Sequence, residues 1–217
     1  MKFKAVLFDM DGLLIDSMYH WLEIDKKFFT EKGVELTPEM VKYFTGRSLK
    51  ENILWMKEKF GWEDSVETMV YMRKDLTNAI YSDHSQIMPG ADDLIRRVAK
   101  TNIKQAIASG ATEDWINIIV DRFKWREHFD GLISVEHVEH KGKPAPDVYL
   151  HAAEKLEINP NDCVVFEDAE NGVLSAKAAG MHCVAVPDER WSFGDFSKAD
   201  LVINSLEDER IDKLLNL

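Results

Sequence analysis

From about residue 88 to its end the chain alternates short apolar runs with segments of helical spacing, and few folds satisfy that pattern. Apolar runs over 103–108, 131–134, 163–166, 182–186 and 201–203 read as strands, and an earlier one over 4–8 stops abruptly at Asp9. The segments between them, 91–100, 112–124, 146–157 and 170–179, carry apolar residues at helical spacing. Near-continuous apolar strands suit a sheet buried on both faces, which makes it parallel and covered by the intervening helices.

Residues 17–86 break this pattern. They show helical periodicity and no convincing strand run, with Gly33, Thr37-Pro38, Gly46 and Gly61 dividing them into about four helices. Thr37 reads as an N-cap with Pro38 at the first helical position, where its missing N–H costs nothing. The expectation is an α/β core made of 1–16 and 87–217, interrupted by a helical cap of 17–86.

Composition narrows the function classes. With 217 residues, 45% of them hydrophobic, the chain can bury a substantial core without disulfides or a structural metal. Its 39 acidic residues against 27 basic ones give a formal charge of −12, which repels nucleic acid and anionic membranes. No run approaches the roughly 18–20 apolar residues that span a bilayer. The N-terminal apolar run is too short for a secretory signal. Cys163 and Cys183, each flanked by apolar strand residues, read as buried reduced thiols. A cytoplasmic protein with a small-molecule partner is expected, with no role in binding nucleic acid or membrane.

Ligands of an open parallel sheet collect at the carboxyl ends of its strands. Asp9 and Asp11 follow the first strand in FDMDG, Ser109 and Gly110 follow the second, and Glu167 and Asp168 follow the fourth in VVFEDAENG. Lys143 lies in KGKPAP, ahead of the helix that starts near Pro146. Taken singly each has an ordinary reading: Asp-Gly is a turn, Ser109 or Asp168 a helix cap, Lys143 a solvated charge. Together they do not, because four carboxylates at one sheet edge repel unless a cation neutralises them. Hard oxygen ligands with few protein contacts point to Mg²⁺. His128, His137 and His140 have no metal-ligand spacing and are expected at the surface.

The ordered set FDMDGLLIDS at 8–17, Ser109, GKPAPDVYL at 142–150 and VVFEDAENGVLSAKAAGM at 164–181 resembles the haloacid dehalogenase-like (HAD) superfamily across essentially the whole chain. The resemblance is to the branch holding β-phosphoglucomutase and sugar-phosphate phosphatases such as 2-deoxyglucose-6-phosphatase. It implies a Rossmann-like parallel-sheet core with an inserted helical cap. It also implies a Mg²⁺-dependent phosphohydrolase working through an aspartyl-phosphate on Asp9. Asp11 would be general acid and then base, with its backbone carbonyl on the metal. Asp168, with Glu167, would complete the metal ligands beside Asp9. Ser109 and Lys143 would hold the phosphoryl group, and Gly12 and Gly110 would let the backbone pass close to it. Asp16 and Ser17 fall where cap and core join, a place suited to a hinge.

Mutases of that branch carry three features that this chain lacks. Leu49 stands where they place a distal-phosphate arginine, with Arg47 two positions earlier as a candidate replacement. Trp21 stands at the position of their cap histidine, facing the site, and Thr112 at that of a core lysine. Hydrolysis of a small phosphorylated metabolite, by resemblance a sugar phosphate, is therefore expected over a phosphosugar mutase. A dehalogenase, a phosphonatase using a cap lysine and a non-catalytic phosphate-binding module rank lower. A monomer is expected. Trp55, Trp62, Met56 and Met69 read as cap packing.

Overall fold

The computed structural model describes residues 3–217, apart from the side chains of Lys74 and Asp75. Six parallel strands, β1 (Ala5–Phe8), β2 (Lys104–Ser109), β3 (Gly131–Ser134), β4 (Cys163–Glu167), β5 (His182–Ala185) and β6 (Leu201–Val202), form one sheet in the order β3-β2-β1-β4-β5-β6. β1 lies at the centre, with Phe8 in register with Ile107 on one side and Phe166 on the other. The order reverses at β1. The carboxyl ends of β1, β2 and β4 therefore open onto one crevice, where a doubly wound sheet takes its ligand.

Side chains alternate across the sheet. Val6 and Phe8 of β1, Ile107 of β2 and Val164 and Phe166 of β4 pack on one face, under α5 (Ala91–Val98), α6 (Glu113–Arg122) and the C-terminal α9 (Arg210–Leu215). Ala5, Leu7, Ala106, Ala108 and Val165 pack on the other, under α7 (Asp147–Leu156) and α8 (Glu170–Ala178). Both faces are covered, which is why these strands read as apolar without alternation. Cys163 and Cys183 are free thiols on the second face.

Between β1 and α5 the chain forms α1 (Ser17–Glu31), α2 (Pro38–Phe44), α3 (Leu49–Phe60) and α4 (Val66–Ala79), followed by a π-helical turn over Ile80–His84. Local chemistry sets the helix ends. Thr37, with Pro38 after it, caps α2, Ser48 and Glu51 form a reciprocal capping box on α3, and Gly61 closes α3 in the left-handed region at φ +66°. These helices share their own apolar cluster of Phe28, Phe29, Phe44, Ile53, Met56 and Met69, with Trp55 and Trp62 packed against it.

The chain crosses between the two clusters twice, and the crossings lie side by side. Ile15 bridges Ile87 in antiparallel fashion. The Asp16 N–H donates to the Gln86 carbonyl at 3.0 Å, and the Gln86 N–H donates to Asp16 Oδ1 at 2.6 Å. Elsewhere the helices of 17–86 meet the sheet domain through apolar packing of Trp21, Ile80 and Tyr81 and through polar contacts. Asn171 Nδ2 donates to the Thr45 carbonyl at 2.8 Å, and Lys42 pairs with Glu170 at 2.6 Å. Of the histidines, His128 is half-buried against Arg96 at 2.9 Å and its carbonyl accepts from Gln105, so it is part of the fold rather than free surface.

Ile107 is fully buried in the middle of the sheet. Ile107→Ala is expected to cost about 2–5 kcal/mol through lost burial and an unfilled cavity. Urea unfolding should show a lower midpoint at an unchanged slope. An unchanged midpoint would mean that this face of the sheet is not tightly packed.

Candidate active site

β1 ends at Phe8 and delivers Asp9 directly into the crevice, where its carboxylate is almost fully buried. β4 ends in Glu167, followed by Asp168, and both are buried. The loop before α7 threads Lys143, with no exposed surface, between two of these acids. Its Nζ lies 2.5 Å from Asp9 Oδ1 and 2.5 Å from Glu167 Oε1. Tyr149, two turns down the same segment, donates its hydroxyl to Glu167 Oε1 at 2.6 Å, and the Ala169 N–H donates to Glu167 Oε2 at 3.2 Å. Glu167 is thus fixed by three donors. Asp168 receives a single one, the indole N–H of the buried Trp191 at 3.0 Å from Oδ2.

Two glycines make room for these acids. A Cβ on Gly12 would overlap the Asp168 carboxylate, and Gly12 also sits at φ +89°. A Cβ on Gly172, in the first turn of α8, would overlap the Glu167 carboxylate. Gly110 has a different neighbour from the one the sequence suggests. A Cβ there would press at 3.2 Å on the carbonyls of Gly46 and Arg47, so this glycine lets the cap loop close down on the end of β2.

Asp11 stands on the cap side of the same crevice. The fully buried Ser17 donates to its Oδ1 at 2.6 Å, Ser109 donates to its Oδ2 at 3.4 Å, and the hydroxyl of the buried Tyr81 is a third partner. Trp21 in turn donates its indole N–H to the Tyr81 oxygen at 3.1 Å, which leaves the Tyr81 proton for Asp11. Tyr81 lies in the π-helical turn, stacked on Trp115 of α6 at 4.9 Å, and its carbonyl accepts from Arg122. Part of this cap segment is therefore pinned to the core beside Asp11.

Burial dominates the electrostatics. It raises Asp9 to about 7, with Lys143 opposing it and Glu167 and Asp11 reinforcing it. It also raises Asp11, against the hydrogen bonds from Ser17 and Tyr81, and it pushes Asp168 well above the usual carboxylate range, with Glu167 and Asp9 adding to the effect. Burial alone would lower Lys143, but the adjoining Asp9 and Glu167 outweigh it and keep the ammonium protonated. Burial likewise holds the Tyr81 hydroxyl protonated, so towards Asp11 it acts as a donor.

Asp9, Glu167 and Asp168 each present an oxygen within 4.8 Å of the others. One buried lysine cannot balance three such carboxylates, and among the described residues Asp9 and Asp168 each receive one side-chain donor against three donors on Glu167. A small dication bound by oxygen fits this donor set. The crevice continues into a chamber of about 90 Å³, partly open to solvent, between the sheet edge and the helices of 17–86. Asp9, Asp11, Ser109 and Asp168 line its floor, and Trp21, Arg47, Arg73 and Asn52 line its cap side.

The structure thus gathers Asp9, Asp11, Ser109, Lys143, Glu167 and Asp168 at one sheet edge and places Gly12, Gly110, Trp21 and Arg47 around it. The arrangement offers a nucleophilic carboxylate beside a fixed ammonium, with a second carboxyl held by neutral donors. Sequence reasoning missed Tyr81, Tyr149, Trp191, Asn52 and the Asp25–Arg73 pair. Tyr149 had a signal, six residues beyond Lys143 in GKPAPDVYL, whereas Trp191 lies in a loop without periodicity.

Residues 6–186 match the model of the haloacid dehalogenase-like hydrolases. The chain belongs to that family. A (DL)-glycerol-3-phosphatase of Arabidopsis thaliana is 34% identical over 94% of this chain and 87% of its own length. A probable pseudouridine-5'-phosphatase of Drosophila melanogaster is 32% identical over 95% and 91%. The chain also matches a bifunctional riboflavin kinase/FMN phosphatase of Arabidopsis thaliana, at 32% identity over 97% of its residues, but spans only 55% of that protein. Among solved structures, a β-phosphoglucomutase from Clostridium difficile aligns with a TM-score of 0.82 at 24% identity, over 99% of this chain and 97% of the other, and so shares the fold.

Because the folded-state value of Asp9 lies near 7 and its unfolded value near 3.8, protonated Asp9 favours the folded protein. That contribution is complete below about pH 4 and is lost as pH rises towards 7. In metal-free buffer with chelator, thermal unfolding of Asp9→Asn should therefore gain on the parent between pH 5 and pH 7.5. A stability difference independent of pH would show that Asp9 is ionised throughout.

Proposed function

We propose that this protein is a Mg²⁺-dependent phosphatase that removes phosphate from small phosphorylated metabolites, sugar phosphates among them, through an aspartyl-phosphate on Asp9. The observation that carries the proposal is the pairing of Asp9 with the buried Lys143, 2.5 Å away, beside a second carboxyl, Asp11, held by neutral donors. Named relatives support the substrate class. Besides the glycerol-3-phosphatase, a phosphorylated carbohydrates phosphatase of Thermotoga maritima is 28% identical over 82% of this chain.

In this reading the helices of 17–86 act as a cap over the core formed by 1–16 and 87–217. Asp9 attacks phosphorus in line and expels the alcohol. Lys143 offsets charge on the phosphoryl oxygens, which lets an anionic nucleophile approach an anionic ester. Ser109, 3.4 Å from Asp11, shares its hydroxyl between that acid and a phosphoryl oxygen. Asp11, raised by burial, gives its proton to the departing alkoxide and then takes one from the water that cleaves the aspartyl-phosphate. Tyr81, with Ser17, orients the Asp11 carboxyl during both transfers. Mg²⁺ would be held by Asp9, Asp168 and the Asp11 carbonyl, with Glu167 close by, and would supply charge neutralisation. Glu167, occupied by three donors, serves chiefly to anchor Lys143.

With Mg²⁺, phosphate release from a panel of sugar phosphates and glycerol 3-phosphate is expected, and chelator should abolish it. Asp9→Asn should fold and lose at least about 10³-fold in turnover. Isomerisation of β-glucose 1-phosphate without phosphate release would replace this reading with a mutase.

Asp11→Asn should slow esters of poor leaving groups far more than p-nitrophenyl phosphate, whose alcohol needs no proton. Tyr81→Phe should follow the same order at roughly a tenth of full activity on sugar phosphates. Equal losses on both ester types would remove Asp11 and Tyr81 from leaving-group protonation.

A further inference from the structure

Among the described residues, five buried side-chain polar atoms lack a hydrogen-bond partner, and four of them belong to the chamber: Arg73 Nε and Nη1, Arg47 Nε and Asn52 Oδ1. Unpartnered buried polar groups are rare, and a cluster of them on one wall marks where a ligand completes the bonding. Arg73 is only 3% exposed. Its Nη2 is engaged by Asp25, and its guanidinium lies over the rings of Trp21 and Phe28 at 5.6 and 5.1 Å. Asn52 spends its amide N–H on the Phe44 carbonyl at 3.1 Å, which leaves its oxygen as the free acceptor. Arg47 is stacked on Tyr43 at 4.2 Å.

We infer that Arg73, backed by Asp25, and Asn52 are specificity-determining residues that read the hydroxyl groups of an uncharged, polyhydroxylated leaving group. The inference rests on the phosphatase reading above. Three N–H donors and one carbonyl acceptor on a single wall match hydroxyls, which both accept and donate, whereas a carboxylate or second phosphate leaves the Asn52 oxygen unpaired. Charge points the same way. Asp25 neutralises Arg73, so the pair is a poor clamp for a distal anion but a firm source of oriented donors. Trp21, Leu22, Phe44 and Met56, also in the chamber wall, supply apolar surface for the carbon skeleton.

The test compares kcat/KM for glycerol 3-phosphate and glucose 6-phosphate with that for p-nitrophenyl phosphate, whose leaving group has no hydroxyl to read. Arg73→Lys should lose about 10–100-fold on the two polyol esters and less than about 3-fold on the aryl ester. The double variant Asp25→Asn with Arg73→Gln, which keeps a hydrogen-bonded neutral pair in the same space, should show the same split if Arg73→Lys folds poorly. Equal losses on all three esters, or none, would overturn the inference while leaving the phosphatase reading intact. So would faster turnover of fructose 1,6-bisphosphate than of fructose 6-phosphate by the parent enzyme. Failure of the parent to release phosphate from any of these esters would instead remove the phosphatase reading, and the inference with it.

Discussion

The buried ammonium of Lys143 is the constraint around which this molecule is arranged. A lysine with no exposed surface is costly unless its charge is met, and here it is met twice, by Asp9 and by Glu167. Meeting it requires β1 and β4 to be neighbours, with Asp9 just past β1 level with Glu167 at the end of β4, which the register of Phe8 against Phe166 supplies. It also requires the loop before α7 to pass over the sheet edge, with Tyr149 beneath it to steady Glu167. The two glycines that clear space for the carboxylates serve the same end. Removing Lys143 would leave Asp9 and Glu167 facing each other without the cation between them, so the site is more a single unit than a sum of residues.

That unit concentrates negative charge, and its location explains why the protein tolerates it. The acids sit at strand ends rather than mid-sheet, where β1, β2 and β4 present Asp9, Ser109 and Glu167 to one crevice while their other side chains remain apolar. Core stability and site chemistry are thus assigned to different positions of the same strands. The helices of 17–86 carry their own apolar cluster, and they meet the sheet domain both through polar contacts and through Trp21, Ile80 and Tyr81, which pack into its main core.

The local rules made a large part of this legible in the sequence. FDMDG, VVFEDAENG and GKPAP announce themselves because each acid or lysine directly follows or precedes an apolar run, and the sheet rule places strand ends together. Thr37-Pro38 and Gly61 marked helix ends through chemistry that acts over a few residues. Tyr81, Trp191 and Arg73 were not legible. Each sits on an element whose local pattern says only helix or loop, and each gains its meaning from a partner far along the chain: Asp11, Asp168 and Asp25 respectively. Gly110 shows the same limit from the other direction. It read as a phosphate-loop glycine and does line the chamber, but a Cβ there would also meet the carbonyls of Gly46 and Arg47, which no local pattern could have disclosed.

The paired crossings at Ile15 and Ile87 carry a consequence for timing. On the proposed cap reading, a lid attached at two adjacent points would turn about a single axis, so the groups it carries would arrive or depart together. Tyr81 lies five residues before Gln86, near that axis, whereas Arg47 and Asn52 lie far along the lid in sequence. On the proposed reading, the proton-handling end of such a lid would lie at its attachment, and product could leave without the acid and base being rebuilt on each cycle.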